Sequence, residues 1–402
     1  MQDRSVPTDK ARRAFEPIED EVAEPAPEGL RIALLGSRGI PARYGGYETL
    51  MEEISYRLVE LGHRVTVYCR SHYTLPSERE FRGVELVVLP TWRSKHLDTP
   101  VHTLLSCLHA AGRSLGRRRF DAALVVNAAN ALFVPILRLA GVRTALHVDG
   151  IEKQRAKWGP LGRAVYTLSE RLACVLPNRV VSDAEVIHDH YLRRYDKPSE
   201  LITYGVDPQP PEQPKVLAEL GLEAGRYFLY VSRFEPENNP HRVAEAYRGV
   251  GGDLPLVMVG DAPYAERFIA GFRDGADPRV LFPGAIYGDG YRELQAGALA
   301  YVHATEVGGT HPALVEAMGY GNCLLVNDVP ENREVVADCG LWFRAEDPST
   351  LTAAFERVRT EQGLAEELGR RAAERAGERY SWRAVSRSYD RLFRSLRASG
   401  KG

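Results

Sequence analysis

The sequence predicts an α/β protein made of two doubly wound, parallel-sheet domains. Three observations carry this. Short aliphatic runs alternate with amphipathic, helix-length segments along most of the chain. The same alternation restarts after a proline-rich interruption, and 402 residues with 44% hydrophobic composition suffice for two cores.

The first run, Arg31 to Leu35, is continuously apolar after its arginine and ends at Gly36, as expected of a strand buried on both faces. Apolar residues then recur at Leu50, Met51, Ile54, Leu58 and Leu61, one face of a helix, before a second strand from Val65 to Cys69. Further strands are expected at Val84 to Leu89, Ala122 to Val126 and Thr144 to His147, with helices around Thr103 to Ala111 and Ala131 to Leu139. Val180 to Asp183 reads as a strand end followed by a helix cap. Pro208, Pro210, Pro211 and Pro214 resist regular structure, so the interdomain linker is placed there. Strands resume at Tyr227 to Val231, Leu256 to Val259, Val280 to Phe282, Ala300 to His303 and Leu324 to Val326. The resulting division is an extension at residues 1–29, a first domain at 30–206, a linker at 207–224, a second domain at 225–380 and a closing helix at 381–402. The extension, charged and proline-bearing with no apolar period, is expected to be disordered.

Composition excludes several classes. A net charge of −2 gives no overall field for nucleic acid. The five cysteines, Cys69, Cys107, Cys174, Cys323 and Cys339, include no C-x-x-C pair, which suits reduced thiols in a cytoplasm. No apolar run reaches the roughly 18 residues of a spanning helix, and no signal peptide is evident. The loop from Gly36 to Glu48 lacks the G-x-G-x-x-G spacing, so no dinucleotide cofactor is expected. No Asp-x-Asp occurs to hold a divalent ion against a diphosphate. His188 and His190 flank Asp189 two apart on a helix, hence on different faces, and are not expected to share a metal.

The candidate site is the stretch from His303 to Glu334. Gly308, Gly309 and Thr310 lead through Pro312 into a helix, a junction whose free N–H groups and macrodipole favour an anion. Glu316 lies one turn into that helix, placed to accept hydrogen bonds from a sugar hydroxyl beyond the anion. The loop Gly36 to Glu48 is longer than its turn requires, and its Arg38, Gly45 and Gly46 suggest a substrate-facing segment. Asp149-Gly150 follows a strand's carboxyl end, where doubly wound sheets collect ligands.

The motifs RGIPARYGGYE, HVDGIE, SRFEPENN and GGTHPALVEAMGYG, in that order, resemble family 4 of the retaining GT-B glycosyltransferases, and within it a bacterial rhamnosyltransferase subgroup. The resemblance spans Leu30 to Leu396. It implies an acceptor-binding first domain, a donor-binding second domain facing it across a cleft, and metal-free hexosyl transfer with retention in cell-surface polysaccharide synthesis. By the same resemblance Arg233 meets the donor diphosphate, Glu316 is the second glutamate of an E-x7-E motif on the ribose, and Asp149 stands near the position of a histidine beside both sugars. Arg233, Glu316 and Asp149 are therefore the catalytic candidates. This chain departs at Gly308, where the first glutamate would fall, and at Asn238, where a lysine usually accompanies the arginine. The implied partners are a dTDP- or UDP-linked sugar and a glycan or lipid-linked acceptor. Two alternatives share the architecture: a nucleotide-sugar epimerase, and a non-catalytic nucleotide-sugar-binding protein.

The closing helix sets Trp382, Val385, Tyr389, Leu392, Phe393 and Leu396 on one face and Arg383, Arg387, Arg391, Arg394 and Arg397 on the other. The resemblance returns this helix to the first domain. Its arginines could then rest on an anionic leaflet if the acceptor is lipid-linked.

Overall fold

The computed structural model describes residues 28–398 except 44, 93, 95–96, 149, 151–159 and 263–264. The expected disordered extension therefore lies, but for its last two residues, outside the described residues. The chain forms two compact units. One takes the described residues up to Tyr204 and again from Trp382; the other runs from Gly205 to Ser381.

In the first unit, β1 (Arg31–Leu35), α1 (Gly46–Glu60), β2 (Arg64–Arg70), β3 (Glu80–Phe81) and β4 (Val84–Leu89) are followed by α2 (Asp98–Ser114), β5 (Ala122–Val126) and α3 (Val134–Leu139). Then come β6 (Arg143–Val148), α4 (Pro160–Val175), β7 (Arg179–Ser182), α5 (Glu185–Tyr195) and β8 (Glu200–Leu201). The sheet order is β3-β4-β2-β1-β5-β6-β7-β8, parallel except for the β3 hairpin. Alternate residues of one strand serve different cores. Ile32 and Leu34 pack with α1, whereas Ala33 and Leu35 pack with Cys107 and Ala110 of α2, Val134 and Leu137 of α3, Ala173 of α4 and Ile187 of α5. Helices α2 to α5 thus cover one sheet face, and α1 lies on the other.

The helix expected over Ala131 to Leu139 is corrected. Its first part is a 3₁₀ segment, Ala128–Phe133, capped by the Asn127 side chain accepting from the Ala129 amide at 2.9 Å. The α-helix starts only at Val134, where Pro135 occupies the first turn and needs no N–H partner.

The first helix of the second unit is α6 (Val216–Glu219), a helical turn just after the last of the four prolines, so the expected linker at 207–224 is not wholly irregular. Its carboxylate anchor is described below. There follow β9 (Phe228–Val231), α7 (Pro240–Tyr247), β10 (Leu256–Val259), α8 (Glu266–Arg273), β11 (Val280–Gly284), α9 (Gly288–Gly297) and β12 (Ala300–His303). The rest is α10 (Pro312–Gly319), β13 (Cys323–Asn327), α11 (Pro330–Val336), β14 (Gly340–Phe343), α12 (Pro348–Thr360) and α13 (Leu364–Arg379). All six strands are parallel, in the order β11-β10-β9-β12-β13-β14. Strand β14 escaped the sequence reading because it is a short, half-buried edge strand carrying a glycine.

The last helix, α14 (Trp382–Ala398), belongs to the first unit and packs on the α1 side of its sheet. Its six apolar residues are all buried, each contributing roughly 1.5–3 kcal/mol of gross burial. A polar anchor fixes its register. Leu30 N donates to His63 Nδ1 at 3.0 Å, so His63 Nε2 carries the proton and donates to Asp390 at 2.7 Å. Burial holds His63 below the usual imidazole range, against the pull of Asp390. Of the five arginines, Arg383, Arg387 and Arg391 are exposed. Arg394 pairs with Asp390 at 2.7 Å and Arg397 with Glu28 at 3.1 Å, and Arg391 donates to Ser388 Oγ at 2.9 Å.

Candidate active site

In the second unit the strand order reverses between β9 and β12, and the loops leaving these two neighbours open a crevice at their carboxyl ends. Arg233 leaves β9 and Gly308 to Thr310 follow β12.

The Arg233 turn is held rigidly. Its carbonyl accepts from Ser232 Oγ at 2.9 Å, the Glu235 amide at 2.7 Å and Asn238 Nδ2 at 2.7 Å. Asn238, standing where a second cation was expected, is buried; its own carbonyl accepts from Tyr230 Oη at 2.7 Å. It is therefore a staple for the turn and supplies no charge. Gly260, at the end of β10, completes the support: a Cβ there would lie 1.9 Å from the Ser232 carbonyl oxygen, so no side chain fits. The Arg233 guanidinium stays 39% exposed and lies 3.5 Å from the Glu235 carboxylate. An exposed pair of this kind contributes about 0–1 kcal/mol, little enough for a diphosphate to displace.

Three hydrogen bonds tie this turn to the glycine loop. The Glu306 amide donates to the Glu237 carbonyl at 3.0 Å, and Asn239 Nδ2 donates to the Ala304 carbonyl at 2.9 Å and to Glu306 Oε1 at 2.8 Å. Glu306, the acid nearest the missing first glutamate, is thus a bridge between the two loops. Gly308 explains the missing side chain: a Cβ would meet the His311 ring at 2.4 Å. That ring lies 4.8 Å, centroid to centroid, from the ring of His303, which is buried at the end of β12. Burial, with His311 alongside, keeps His303 well below the usual imidazole range and so neutral. The amides of Gly308, Gly309 and Ala313 donate to no protein acceptor among the described residues, while those of Leu314 and Val315 already bond to His311 O.

Glu316 projects from α10 one turn in. Its Oε2 accepts from Tyr291 Oη at 2.5 Å; Tyr291 in turn accepts from Gln295 Nε2 at 2.9 Å, and Gln295 Oε1 accepts from Asn322 Nδ2 at 3.0 Å. Burial and the neighbouring carboxylate push the Tyr291 phenol well above its usual range, so it remains a donor. This relay was missed in the sequence because Tyr291 lies on α9, 25 residues before Glu316, with no motif around it. Glu293 on the same helix was missed too. Its buried carboxylate accepts from the amides of Lys215, Val216 and Leu217 at 2.8, 2.7 and 3.2 Å, capping α6.

The remaining candidates belong to the first unit. Arg38 N donates to Glu48 Oε1 at 2.8 Å, Ala42 N to Glu52 Oε2 at 2.5 Å and Arg70 N to Arg38 O at 2.8 Å, so carboxylates on α1 hold the long loop. Burial raises the Glu48 pKa, with Arg38 opposing. Gly45 is the extended N-cap of α1 and Gly46 its first residue. Asp149 lies outside the described residues. His188 bonds to Ser199 at 2.9 Å and His190 to Glu170 at 3.4 Å, in separate directions. Among the described residues no group of three metal-ligating side chains is assembled.

Two doubly wound units, each with its own switch point, define the GT-B architecture of sugar transferases. The sequence comparisons agree. Residues 213–375 match the family described as glycosyl transferases group 1, and residues 45–204 match the glycosyl transferase 4-like domain. The chain belongs to the group 1 glycosyltransferases of GT-B fold. No curated protein matches it. Solved structures share the fold: a sucrose-phosphate synthase from Thermosynechococcus elongatus aligns with a TM-score of 0.75 at 19% identity, covering 92% of this chain and 100% of its own. HepE of Anabaena, in complex with UDP and glucose, aligns at 0.72 and 14% identity over 91% and 100% of the two chains. An α,α-trehalose 6-phosphate synthase from Burkholderia multivorans gives 0.64 at 12% identity over 93% and 98%.

Proposed function

We propose that this glycosyltransferase moves a hexose from a nucleoside diphosphate sugar to a glycan or lipid-linked acceptor with retention and without a metal. The observation carrying this reading is the joining of the Arg233 turn to the Gly308–Thr310 loop across the β9/β12 switch point. The guanidinium and the unused amides of the α10 start share one diphosphate in this reading. In this reading the bond from the anomeric carbon to the diphosphate oxygen breaks while Arg233 and the amides take up the charge. The acceptor hydroxyl attacks the same face, and its proton passes to the departing diphosphate. Glu316, oriented by Tyr291, accepts from the ribose. Arg38, Gly45, Gly46 and Asp149 are assigned to the acceptor side. That HepE is solved with UDP and with UDP-glucose supports a nucleotide-sugar donor. The motif resemblance to rhamnosyltransferases favours a dTDP-linked rhamnose, and a single 3′-hydroxyl would still satisfy Glu316.

The test is nucleoside diphosphate release from a panel of dTDP- and UDP-sugars, with and without glycan acceptors and in the presence of EDTA. Acceptor-stimulated release unaffected by EDTA supports the reading. Conversion of donor to an isomer with no acceptor present would identify an epimerase, and binding without turnover across the panel would refute catalysis. A product-inhibition preference of tenfold or more for UDP over dTDP would reverse the choice of base.

A further inference from the structure

The amino-terminal edge of the first sheet lies at the opposite end of its strands from the loops assigned above to the acceptor. There the chain leaves three successive helices of one sheet face and enters β5, β6 and β7. At each exit stands a protruding aliphatic residue: Leu115 after α2 is 81% exposed, Leu139 at the end of α3 is 89% exposed and Val175 at the end of α4 is 72% exposed. The three exits form one surface. Arg119 donates to the Gly141 carbonyl at 2.6 Å, Arg138 to the Leu176 carbonyl at 2.7 Å, and the Thr144 amide to Asn178 Oδ1 at 2.9 Å.

The same surface is basic. Between Thr99 and Val148, Asp121 is the single acidic residue against Arg113, Arg117, Arg118, Arg119, Arg138 and Arg143. Four arginines, Arg119, Arg138, Arg143 and Arg397, line a pocket of about 470 Å³ between the exits. The bonds that Arg119 and Arg138 make are to neutral carbonyls, which leave their charge uncompensated. Arg113 is paired with Glu85, whose carboxylate also attracts Arg118, while Arg143 meets no carboxylate among the described residues. The acids nearby, Asp121 and Glu28, both face Arg397, at 3.8 and 3.1 Å.

Water-exposed aliphatic tips around a pocket lined by four arginines and one aspartate, net cationic, match one kind of partner in both respects. We propose that this edge seats the protein on an anionic lipid bilayer, the arginines meeting headgroup phosphates and Leu115, Leu139 and Val175 entering the acyl boundary. The seat differs from the α14 arginine stripe: Arg383, Arg387 and Arg391 project from the helix covering the other sheet face. The inference does not rest on sugar transfer, because its test reads binding alone.

The test is flotation of the full chain with vesicles of phosphatidylcholine, or of phosphatidylcholine mixed with phosphatidylglycerol. The chain floats with the mixed vesicles and not with the neutral ones, and about 1 M salt releases it as the screening length falls to about 3 Å. Each basic residue near an anionic surface raises partitioning about fivefold, so Arg118→Gln with Arg143→Gln lowers it about 25-fold. Leu115→Ser with Leu139→Ser lowers it at least tenfold. All four positions are at the surface, so unchanged melting curves accompany both losses. Equal binding to neutral and mixed vesicles, or binding to neither, overturns the proposal. So does binding that ignores these variants but is lost with Arg383→Gln, Arg387→Gln and Arg391→Gln. A dimer in light scattering that the leucine variants split would show that the edge seats a second copy instead.

Discussion

Changing Glu316 to Gln keeps the shape of the side chain and removes its charge, and Tyr291→Phe removes the hydroxyl that holds it. In the structure one carboxylate oxygen, Oε2, accepts from Tyr291 at 2.5 Å. The proposal assigns the other to the ribose. A hydrogen bond to a charged group contributes about 1.5–3 kcal/mol, so Glu316→Gln is expected to lower kcat/KM for the nucleotide sugar by about ten- to a hundredfold. Tyr291→Phe leaves the carboxylate charged but unrestrained and leaves Gln295 Nε2 without its acceptor. The expected loss is about tenfold, mostly in KM, because the contact is as strong in the ground state as in the transition state. Once Glu316 is neutral its orientation matters less, so the double variant loses less than the product of the single losses, with about 1 kcal/mol of coupling. Initial rates of nucleoside diphosphate release give all four corners of the cycle. Two folded single variants with wild-type kinetics would refute the ribose assignment of Glu316. Strict multiplicativity would refute the positioning role of Tyr291.

Arg233→Ala is expected to cut kcat more than tenfold with a smaller change in KM, since the charge it meets grows as the leaving group departs; a change confined to KM contradicts this. Glu293→Ala leaves three amides at the start of α6 without their acceptor and should cost about 3 kcal/mol or more, roughly 6–12 °C in Tm, with Glu293→Gln recovering part of it. Burial lowers His147 to about 3 and His102, beside Arg70, to about 4, so both are neutral in the folded chain. The unfolded chain takes up protons below about pH 6.5, so each contributes stability that is present above that pH and is lost as pH falls towards the folded value. The loss is about 2 kcal/mol per histidine by pH 5. His147→Phe, which keeps an aromatic ring against Tyr47 and Tyr204, should make the loss of stability between pH 7 and 5, followed by Tm, smaller by about 2 kcal/mol, His102 and His303 keeping their share. An unchanged loss would contradict the assignment.

Much of the fold was legible because buried parallel strands write themselves as continuous aliphatic runs. Arg31–Leu35 and Ala122–Val126 needed no partner to be recognised, and the six-residue stripe of α14 needed only its period. What escaped depends on tertiary partners. Strand β14 is short and half buried, and the 3₁₀ start before α3 is set by Asn127 and Pro135. At the candidate site, features whose placement is local were readable: glycines and a proline at a helix start, a carboxylate one turn on. Tyr291, Glu293 and Asn238 were not, because a tyrosine, a glutamate and an asparagine acquire their roles only through the chain segments folded against them. The salt partner of Arg233, by contrast, was among its sequence neighbours, and Glu235 stands 3.5 Å away.

The departures at Gly308 and Asn238 have one physical consequence. With Asn238 stapling the turn and the His311 ring filling the space over Gly308, the turn after β9 offers the Arg233 guanidinium without a lysine beside it, and the glycine loop has no acidic side chain at Gly308 itself. A lysine at position 238 would add attraction for the diphosphate before and after the bond breaks alike, whereas rigid amides reward the charge only where it develops. The hydrogen bonds linking Asn239, Ala304 and Glu306 fix the two loops before any ligand arrives, so reorganisation on reaching the transition state is small. A site built this way exchanges ground-state affinity for preorganisation. On the proposed assignment, its donor KM is governed largely by the ribose end, where Glu316 and Tyr291 act, and its kcat by Arg233 and the α10 start. The two sets of variants should therefore separate along those two kinetic axes.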